Sequence, residues 1–154
     1  MVKPLRLPLL ILGCAMGCLA WAGEPVTWSF AANPASGDTV EIALSAACEP
    51  GWHIYALDLP SDAGPLPTVV QVDDGMGYHL VGAVIEPAPL EVIDPNFGML
   101  VRYHGDRTIF TQAICRDMDQ AITVQGSVEF MACNDKTCLP PRQVEFKLEI
   151  PPLP

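Results

Sequence analysis

The segment AITVQGSVEF, residues 121–130, decides the fold because its apolar residues recur at every second position. One side of this extended segment carries its large apolar side chains, which are Ile122, Val124, Val128 and Phe130. An alternation of period two is typical of a β-strand with one buried face, whereas an amphipathic helix repeats every three to four residues. The segment therefore predicts a strand that packs one face against a core.

The same alternation recurs along most of the chain after Glu24. It is present in TVEIALSAA, residues 39–47, and in VEFKLEI, residues 144–150. Further short strands are predicted at residues 26–30, 52–56, 68–72, 78–86, 99–103 and 107–115. No segment has a clear helical period, and 16 prolines and 12 glycines interrupt the chain. Roughly eight or nine short strands separated by turns predict an all-β fold, an antiparallel β-sandwich of the immunoglobulin type.

The first residues have the features of an export signal. Lys3 and Arg6 are followed by an apolar run over residues 7–19, and then by the small-x-small sequence AWA. The run is too short to cross a bilayer core, which needs about 20 residues. We therefore predict a cleaved secretory signal peptide over residues 1–22. The sequence ILGC, which ends at Cys14, leaves a lipoprotein signal open, although a cut there would leave only a very short apolar segment.

The remaining chain, residues 23–154, has the length of one ordinary domain and is strongly acidic. Loss of Lys3 and Arg6 without loss of any acid moves the net charge from −10 to −12. Such a surface repels phosphate groups, so nucleic acids and anionic membranes are unfavourable partners.

Four cysteines remain after the signal peptide, and an even number in an exported chain indicates disulfides. They are Cys48, Cys115, Cys133 and Cys138, and the sequence leaves three pairings open. Closing the short loop between Cys133 and Cys138 would stabilise the fold by about 2 kcal/mol, against about 4 kcal/mol for the loop between Cys48 and Cys115. The short bridge contributes less as a structural link, which leaves room for a redox role. Cys48 and Cys115 form either a structural disulfide between strands or two buried free thiols.

The two later cysteines lie in FMACNDKTCLPP, residues 130–141, around the polar turn NDKT. Asn and Asp favour turns, and a four-residue hairpin loop places its flanking residues opposite each other at a separation that a disulfide accepts. If the even positions of the preceding strand face inward, Cys133 points outward to solvent. Pro140 and Pro141 remove two backbone donors, so the returning strand cannot be fully paired. The sequence therefore predicts the pair at an exposed end of the sandwich.

Four motifs in order resemble one family. They are GWHIY at residues 51–55, GPLPT at 64–68, DPNFG at 94–98 before a strand with Tyr103, and CNDKTCLPP at 133–141. Together they are similar to the N-terminal periplasmic domain of DsbD, the bacterial thiol-disulfide interchange protein, and to related stand-alone or copper-tolerance-associated domains. The resemblance covers essentially all of residues 23–154, and the cysteine motif is its most specific part.

The resemblance implies an immunoglobulin-like fold in which Cys133 and Cys138 are a redox-active pair on a hairpin. It implies a cap loop, residues 94–98, in which Phe97 shields the cysteines with Asp94 beside it. The other residues that it places around the pair are His53, Tyr55 and Tyr103. This chain departs from well-known members in having four residues rather than five between the cysteines and one aromatic residue in the cap loop.

The resemblance also implies an activity, thiol-disulfide exchange in the periplasm, without a cofactor or a bound metal. The electron donor would be a membrane thiol reductase or a thioredoxin-like protein, and the acceptor a periplasmic protein that contains a disulfide. By analogy with the family, Cys138 is the cysteine that attacks first.

The residues themselves leave simpler readings open for the surrounding side chains. If the sandwich buries Trp52 and Ile54, the alternation places His53 and Tyr55 at the surface. Phe97 lies in a loop rich in Pro, Asn and Gly, where it either shields the cysteines or packs on a local apolar cluster.

Two alternatives of a different class remain. Soft sulfur ligands select Cu(I), and Met131, Cys133, Cys138, Met99, His104 and His53 are candidate ligands, but no M-x-x-M or C-x-x-C spacing is present. The chain could also be a non-catalytic interaction domain whose disulfides are all structural. Serine-hydrolase, zinc-protease and nucleotide-binding motifs are absent from the sequence.

Overall fold

The computed structural model describes residues 23–152. The predicted signal peptide, with Cys14 and Cys18, lies outside the described residues, as do residues 153–154. Strands and turns make up the described part of the chain, without a helix. No helix there is long and apolar enough to cross a membrane.

Eleven strands form three antiparallel sheets in the described part of the chain. They are β1 Val26–Pro34, β2 Thr39–Cys48, β3 His53–Tyr55, β4 Val69–Val72, β5 Tyr78–Ile85, β6 Leu90–Asp94, β7 Met99–Gly105, β8 Arg107–Arg116, β9 Ile122–Phe130, β10 Ala132–Cys133 and β11 Arg142–Ile150. The strand orders are β1-β2-β8-β5 in the first sheet, β10-β3-β7-β6 in the second and β11-β9-β4 in the third. The predicted all-β antiparallel sandwich is therefore confirmed.

The main core lies between the first and third sheets. Strands β2 and β8 contribute Ile42, Leu44 and Phe110, and β9 contributes Val124 and Val128, all fully buried. These residues occupy alternate positions, as the period-two pattern requires. Each fully buried side chain of this size stabilises the fold by about 1.5–3 kcal/mol, so the alternation fixes which face of each strand turns inward.

A second, smaller core lies at the second sheet, which the short strands β3 and β10 help to build. Its fully buried residues are Tyr55, Val101 and Cys133, and we call this group the site cluster. Further side chains pack against the site cluster, namely Leu59, Met99, Tyr103, Met131 and Cys138. Both cysteines of the predicted hairpin thus belong to one small apolar cluster, separate from the main core.

Two strands are absent from the sequence prediction, β6 and β10. In β6, Leu90–Asp94, four of the five residues are exposed, so the strand has no buried face to produce a contrast of polarity along the sequence. Strand β10, Ala132–Cys133, has only two residues, which are too few for an alternation of apolar and polar residues to be detected in the sequence.

The prediction of a possible structural disulfide between Cys48 and Cys115 is wrong, because both thiols are free. Strand β2 pairs with β8 so that Cys115 faces Thr39, whereas Cys48 lies at the other end of β2. Nine residue-to-residue steps of extended chain lead from Thr39 to Cys48, which at about 3.4 Å per step is about 30 Å. The two thiols are only partly buried and lie at opposite ends of the first sheet.

Candidate functional site

The hairpin after β9 forms as the sequence predicts. Cys133 and Cys138 face each other across an antiparallel bridge, with 4.1 Å between their Cα atoms, and they are joined by a disulfide. The side-chain oxygen of Asn134 accepts hydrogen bonds of 2.9 Å from the backbone amides of Lys136 and Thr137. Asn134 thus organises the turn in the way that favours Asn in such loops. Four intervening residues are sufficient for the hairpin.

The two sulfur-bearing residues differ in exposure. Cys133 is fully buried, whereas Cys138 is partly exposed. The expectation that Cys133 points to solvent is therefore wrong. That expectation assumed that the inward and outward faces of β9 continue into β10. Strand β10 instead pairs with β3 in the second sheet. The site cluster therefore covers the face of β10 that corresponds to the solvent-facing side of β9. Cys138 is therefore the more accessible residue of the disulfide.

Strand β3 supplies two ring side chains next to the cysteines. His53 lies directly opposite Cys133, and Tyr55 lies opposite Tyr103 of β7. Tyr55 is fully buried, so its predicted surface position is wrong. Strand β3 is covered on both sides, because Ile54 packs in the main core while Tyr55 packs in the site cluster. Trp52 is only partly buried.

A buried hydrogen bond joins Tyr55 to Asp94 at the end of β6. The Tyr55 hydroxyl donates to Asp94 Oδ2 over 2.7 Å, and the same hydroxyl lies 4.0 Å from Cys138 Sγ. Burial, reinforced by the adjacent carboxylate of Asp94, raises the pKa of Tyr55 far above its usual value. Tyr55 therefore remains protonated and presents its hydroxyl between the carboxylate and the sulfur.

Asp94 also organises the cap loop. Its Oδ1 accepts hydrogen bonds from the backbone amides of Asn96 (2.7 Å) and Phe97 (3.3 Å). Asp94 is 1% exposed. Burial by itself would raise the pKa of Asp94, but the hydrogen bonds from Tyr55 and the two amides outweigh it and hold that pKa below the usual range. The carboxylate is consequently charged at neutral pH, with its oxygens satisfied inside the protein.

The cap loop lies against the cysteine hairpin. The ring of Phe97 makes an edge-on contact with Tyr55 at 6.3 Å between centroids, and Phe97 is 37% exposed. The side-chain amide of Asn96 donates a 2.8 Å hydrogen bond to the backbone carbonyl of Asn134 in the hairpin turn. Gly98 closes the loop with a φ of 66°, which glycine adopts without steric cost. At the tip of the loop, one aromatic contact from Phe97 and one hydrogen bond from Asn96 thus add to the buried bond between Tyr55 and Asp94 at its base.

His53 is the least satisfied polar group of the site. Its Nε2 atom is buried without a hydrogen-bond partner and lies 3.8 Å from Asp94 Oδ2, too far for a hydrogen bond. The imidazole packs between two rings, at 5.3 Å from Tyr55 and 4.8 Å from Tyr103 between centroids. Burial lowers the pKa of His53, although the charges of Asp94 and Asp135 oppose that shift. The ring is therefore neutral at pH 7.

All the residues predicted for the site lie together, and the structure adds several that the sequence did not indicate. The additions are Val101 of the site cluster, Leu59, which packs against it, and the hydrogen-bonded pair Asn96 and Asn134. Met99 and Met131, considered above as copper ligands, also pack against the site cluster. In residues 23–152, no group of three or more His, Cys, Asp or Glu side chains could hold a metal ion. His104, a candidate copper ligand, instead lies 2.9 Å from Glu86 through its Nε2 atom.

Residues 23–150 match the family model described as "Thiol:disulfide interchange protein DsbD, N-terminal". The chain belongs to this family. The DsbD N-terminal model thus spans all eleven strands and includes both cysteines of the hairpin. No curated protein matches the chain.

Solved structures that match the chain include two described domains with the same fold. One is the N-terminal periplasmic domain of ScsB from Proteus mirabilis, with 16% identity and a TM-score of 0.56 over 84% of this chain and 47% of that one. The other is the Neisseria meningitidis DsbD N-terminal domain in the reduced form, with 15% identity and a TM-score of 0.51 over 80% of this chain and 90% of that one. The chain thus spans about half the length of the ScsB fragment, and both likenesses concern the fold alone.

Proposed function

We propose that this protein carries out thiol-disulfide exchange through Cys133 and Cys138. It would pass reducing equivalents from a membrane thiol reductase or a thioredoxin-like protein to disulfide-containing proteins of the periplasm. The observation that carries the proposal is the asymmetry of the disulfide, in which Cys138 is partly exposed and Cys133 is buried beneath it. A purely structural link has no need of an accessible sulfur atom, whereas exchange requires one that a partner thiolate can approach.

The exchange proceeds in two substitutions at sulfur. In the reduced protein, the thiolate of Cys138 attacks a partner disulfide, forms a mixed disulfide and releases one partner sulfur as a thiolate. Cys133 then attacks Cys138 Sγ, the bond to the partner breaks, and the second partner sulfur leaves as a thiolate. Two electrons pass to the partner, and the Cys133–Cys138 disulfide re-forms. A donor dithiol reverses these steps and restores the reduced protein.

The cap loop would control access to Cys138. Phe97 contacts Tyr55, whose hydroxyl is near Cys138 Sγ, so the loop lies beside the path that a partner thiolate must take. A small oxidant would be slowed, and a docked protein would displace the loop. The hydrogen bond from Asn96 that joins the tip of the loop to the hairpin turn costs only about 0.5–1.5 kcal/mol to break.

The periplasm is the proposed location for three reasons. The first 22 residues have the composition of a secretory signal, and the ScsB structure is described as an N-terminal periplasmic domain. An oxidising compartment also suits a resting form with a closed disulfide. The membrane reductase as donor and the periplasmic acceptor rest on membership of the DsbD N-terminal family.

The reduction potential of the pair tests this proposal. We expect a midpoint between about −180 and −300 mV, where envelope oxidoreductases and glutathione buffers exchange electrons, because structural disulfides of secreted proteins lie below about −300 mV. Equilibration in glutathione buffers, with acid quenching and alkylation of the thiols, gives the fraction reduced at Cys133 and Cys138. If the cysteine pair stays fully oxidised in every buffer down to about −300 mV, the disulfide is a structural link and the proposal fails.

A further inference from the structure

We infer that His53 is the general base that takes the proton from Cys133 when this cysteine closes the disulfide and releases the partner. The inference rests on the proposed exchange function and assigns a proton acceptor to its second step. Family membership does not supply it, because it follows from where this imidazole lies in this chain.

The position of Cys133 creates the need for a base. Cys133 is fully buried, and burial disfavours a thiolate. The charged carboxylate of Asp94 lies in the same site and disfavours a second negative charge. Attack on Cys138 nevertheless requires the thiolate of Cys133, because a neutral thiol is a poor nucleophile. The proton must therefore go to a group inside the site, so that no uncompensated charge forms.

His53 is placed to receive that proton. It lies directly opposite Cys133 in the β10–β3 pair, on the same face, and Cβ atoms in such pairs lie about 4.5–5.5 Å apart. The imidazole side chain is 12% exposed, and its Nε2 atom has no hydrogen-bond partner. A buried ring nitrogen without a partner in the oxidised protein is unusual, since buried polar atoms are normally satisfied. Protonation of the ring would place a positive charge 3.8 Å from the carboxylate of Asp94, and this attraction stabilises the imidazolium.

The other groups facing His53 do not compete for this role. The titratable and charged groups around the ring are Tyr55 of its own strand, Tyr103 of β7, Asp94 at the end of β6, Asp135 of the hairpin turn, and Cys133 and Cys138. The hydroxyl of Tyr55 already donates to Asp94, and its raised pKa keeps it protonated. Asp94 accepts hydrogen bonds on both oxygens and has a lowered pKa, which makes it a weak base. Asp135 is exposed to solvent in the hairpin turn, which leaves the neutral imidazole as the remaining acceptor inside the site.

The step conserves atoms and charge. The S–H bond of Cys133 breaks, its proton moves to the imidazole, and the sulfur electron pair forms the bond to Cys138 Sγ. The bond between Cys138 and the partner breaks, and the partner leaves as a thiolate. The imidazolium, held beside Asp94, then returns the proton to the leaving thiolate or to water. In the reverse direction the same imidazolium protonates Cys133 as it leaves.

The test follows the second step alone. Reduced protein is mixed with one equivalent of 5,5′-dithiobis(2-nitrobenzoate), which forms a thionitrobenzoate adduct on Cys138. Acid quenching and site-resolved mass spectrometry then measure how fast that adduct converts into the Cys133–Cys138 disulfide, from pH 5 to pH 9. Wild type is compared with His53→Gln and His53→Phe, and His79→Gln serves as the matched control, because His79 is an exposed histidine on β5.

We expect the wild-type conversion rate to be level above pH 7 and to fall below about pH 6.5, as His53 becomes protonated. In the two His53 variants we expect the rate at pH 7 to fall at least tenfold and to rise about tenfold per pH unit, because solvent must then ionise the thiol. The rate at which the adduct forms on Cys138 should differ less than threefold between these variants and wild type. A merely structural role for His53 would lower the rate without changing the shape of the pH profile.

Two results overturn the inference while the exchange function stands, and a third overturns both. If the His53 variants convert the adduct with the wild-type rate and profile, exchange stands and the base is not His53. If the wild-type rate itself rises tenfold per pH unit with no inflection below pH 7, the inference fails even where a variant does not fold. If the wild-type adduct never converts into the Cys133–Cys138 disulfide, the exchange proposal fails as well.

Discussion

The side-chain amide of Asn96 donates a 2.8 Å hydrogen bond to the backbone carbonyl of Asn134, and so connects the cap loop to the turn between the two cysteines. The bond is exposed at the surface and joins segments 38 residues apart. A neutral hydrogen bond of this kind contributes about 0.5–1.5 kcal/mol net. This contribution is small, and it adds to the contact between Phe97 and Tyr55 in holding the loop against the site.

Asn96→Ala should loosen the cap loop without unfolding the domain. Loss of about 1 kcal/mol from the closed state raises the open population roughly fivefold, so dithiothreitol should reduce the Cys133–Cys138 disulfide about fivefold faster. Timed alkylation of the released thiols measures the rate. Asn33→Ala on β1 is the matched control, since Asn33 is exposed and outside the site. An unchanged rate in Asn96→Ala would mean that the loop does not control access.

Phe97→Ala should increase the access of reductants to Cys138 more than it lowers the free energy of unfolding. The ring is 37% exposed and contacts Tyr55 at its edge, so its removal should lower the free energy of unfolding by no more than about 1 kcal/mol. Reduction by dithiothreitol should again accelerate, because the path to Cys138 loses its aromatic cover. Ile109→Ala on β8 is the control, as Ile109 is similarly exposed at 47% and outside the site. A large loss of stability without faster reduction would make Phe97 a packing residue instead.

Asp94→Asn should produce a pH-dependent loss of stability. The pKa of Asp94 is lowered in the folded protein from its ordinary value of 3.8, so its charge stabilises the fold above that pH. This contribution is lost as pH falls through the lowered folded pKa. At pH 7 we expect the variant to unfold about 1–3 kcal/mol more easily in urea, because Tyr55 loses a charged acceptor. The difference from wild type should shrink below about pH 4, and a difference that stays constant down to pH 2 would contradict the assignment.

Cys48 should resist alkylation at neutral pH. Burial, together with the nearby charge of Asp106, raises the pKa of its thiol to about 11. The thiolate fraction at pH 8 is then about one in a thousand, and the rate should rise about tenfold per pH unit up to pH 11. Site-resolved mass spectrometry after iodoacetamide treatment of the oxidised protein gives this rate. Rapid labelling at pH 7 would show that Cys48 is not held in the environment described above.

The fold could be read from the sequence wherever a strand has one buried face. Strand β9, Ile122–Phe130, alternates without interruption, and its buried residues are the predicted ones. Strand β6 could not be read in this way, because most of its residues are exposed. The turn at Asn134 was predictable from its local sequence, since Asn side chains bond to nearby backbone.

The sequence predicted which residues form the site but not that some of them are fully buried. Alternation placed Tyr55 and Cys133 outward, but both are buried because β3 and β10 pair with each other and are covered on both sides. Inference from a period-two pattern requires that one face of the strand is exposed to solvent. Short strands that lie between two cores have no such face. Contacts such as the bond between Asn96 and Asn134 join distant polar residues and leave no periodic signal in the sequence.

The capture of a partner on Cys138 tests the exchange function most directly. In Cys133→Ala the attack of Cys133 on Cys138 Sγ cannot occur, so a mixed disulfide formed at the partly exposed Cys138 should persist. We predict adducts in the cell envelope that dithiothreitol dissolves, joined through Cys138 by mass spectrometry, and few or none in Cys138→Ala, where the buried Cys133 is left. If both variants are exported and folded and neither is ever joined to another protein, Cys133 and Cys138 do not carry electrons between proteins.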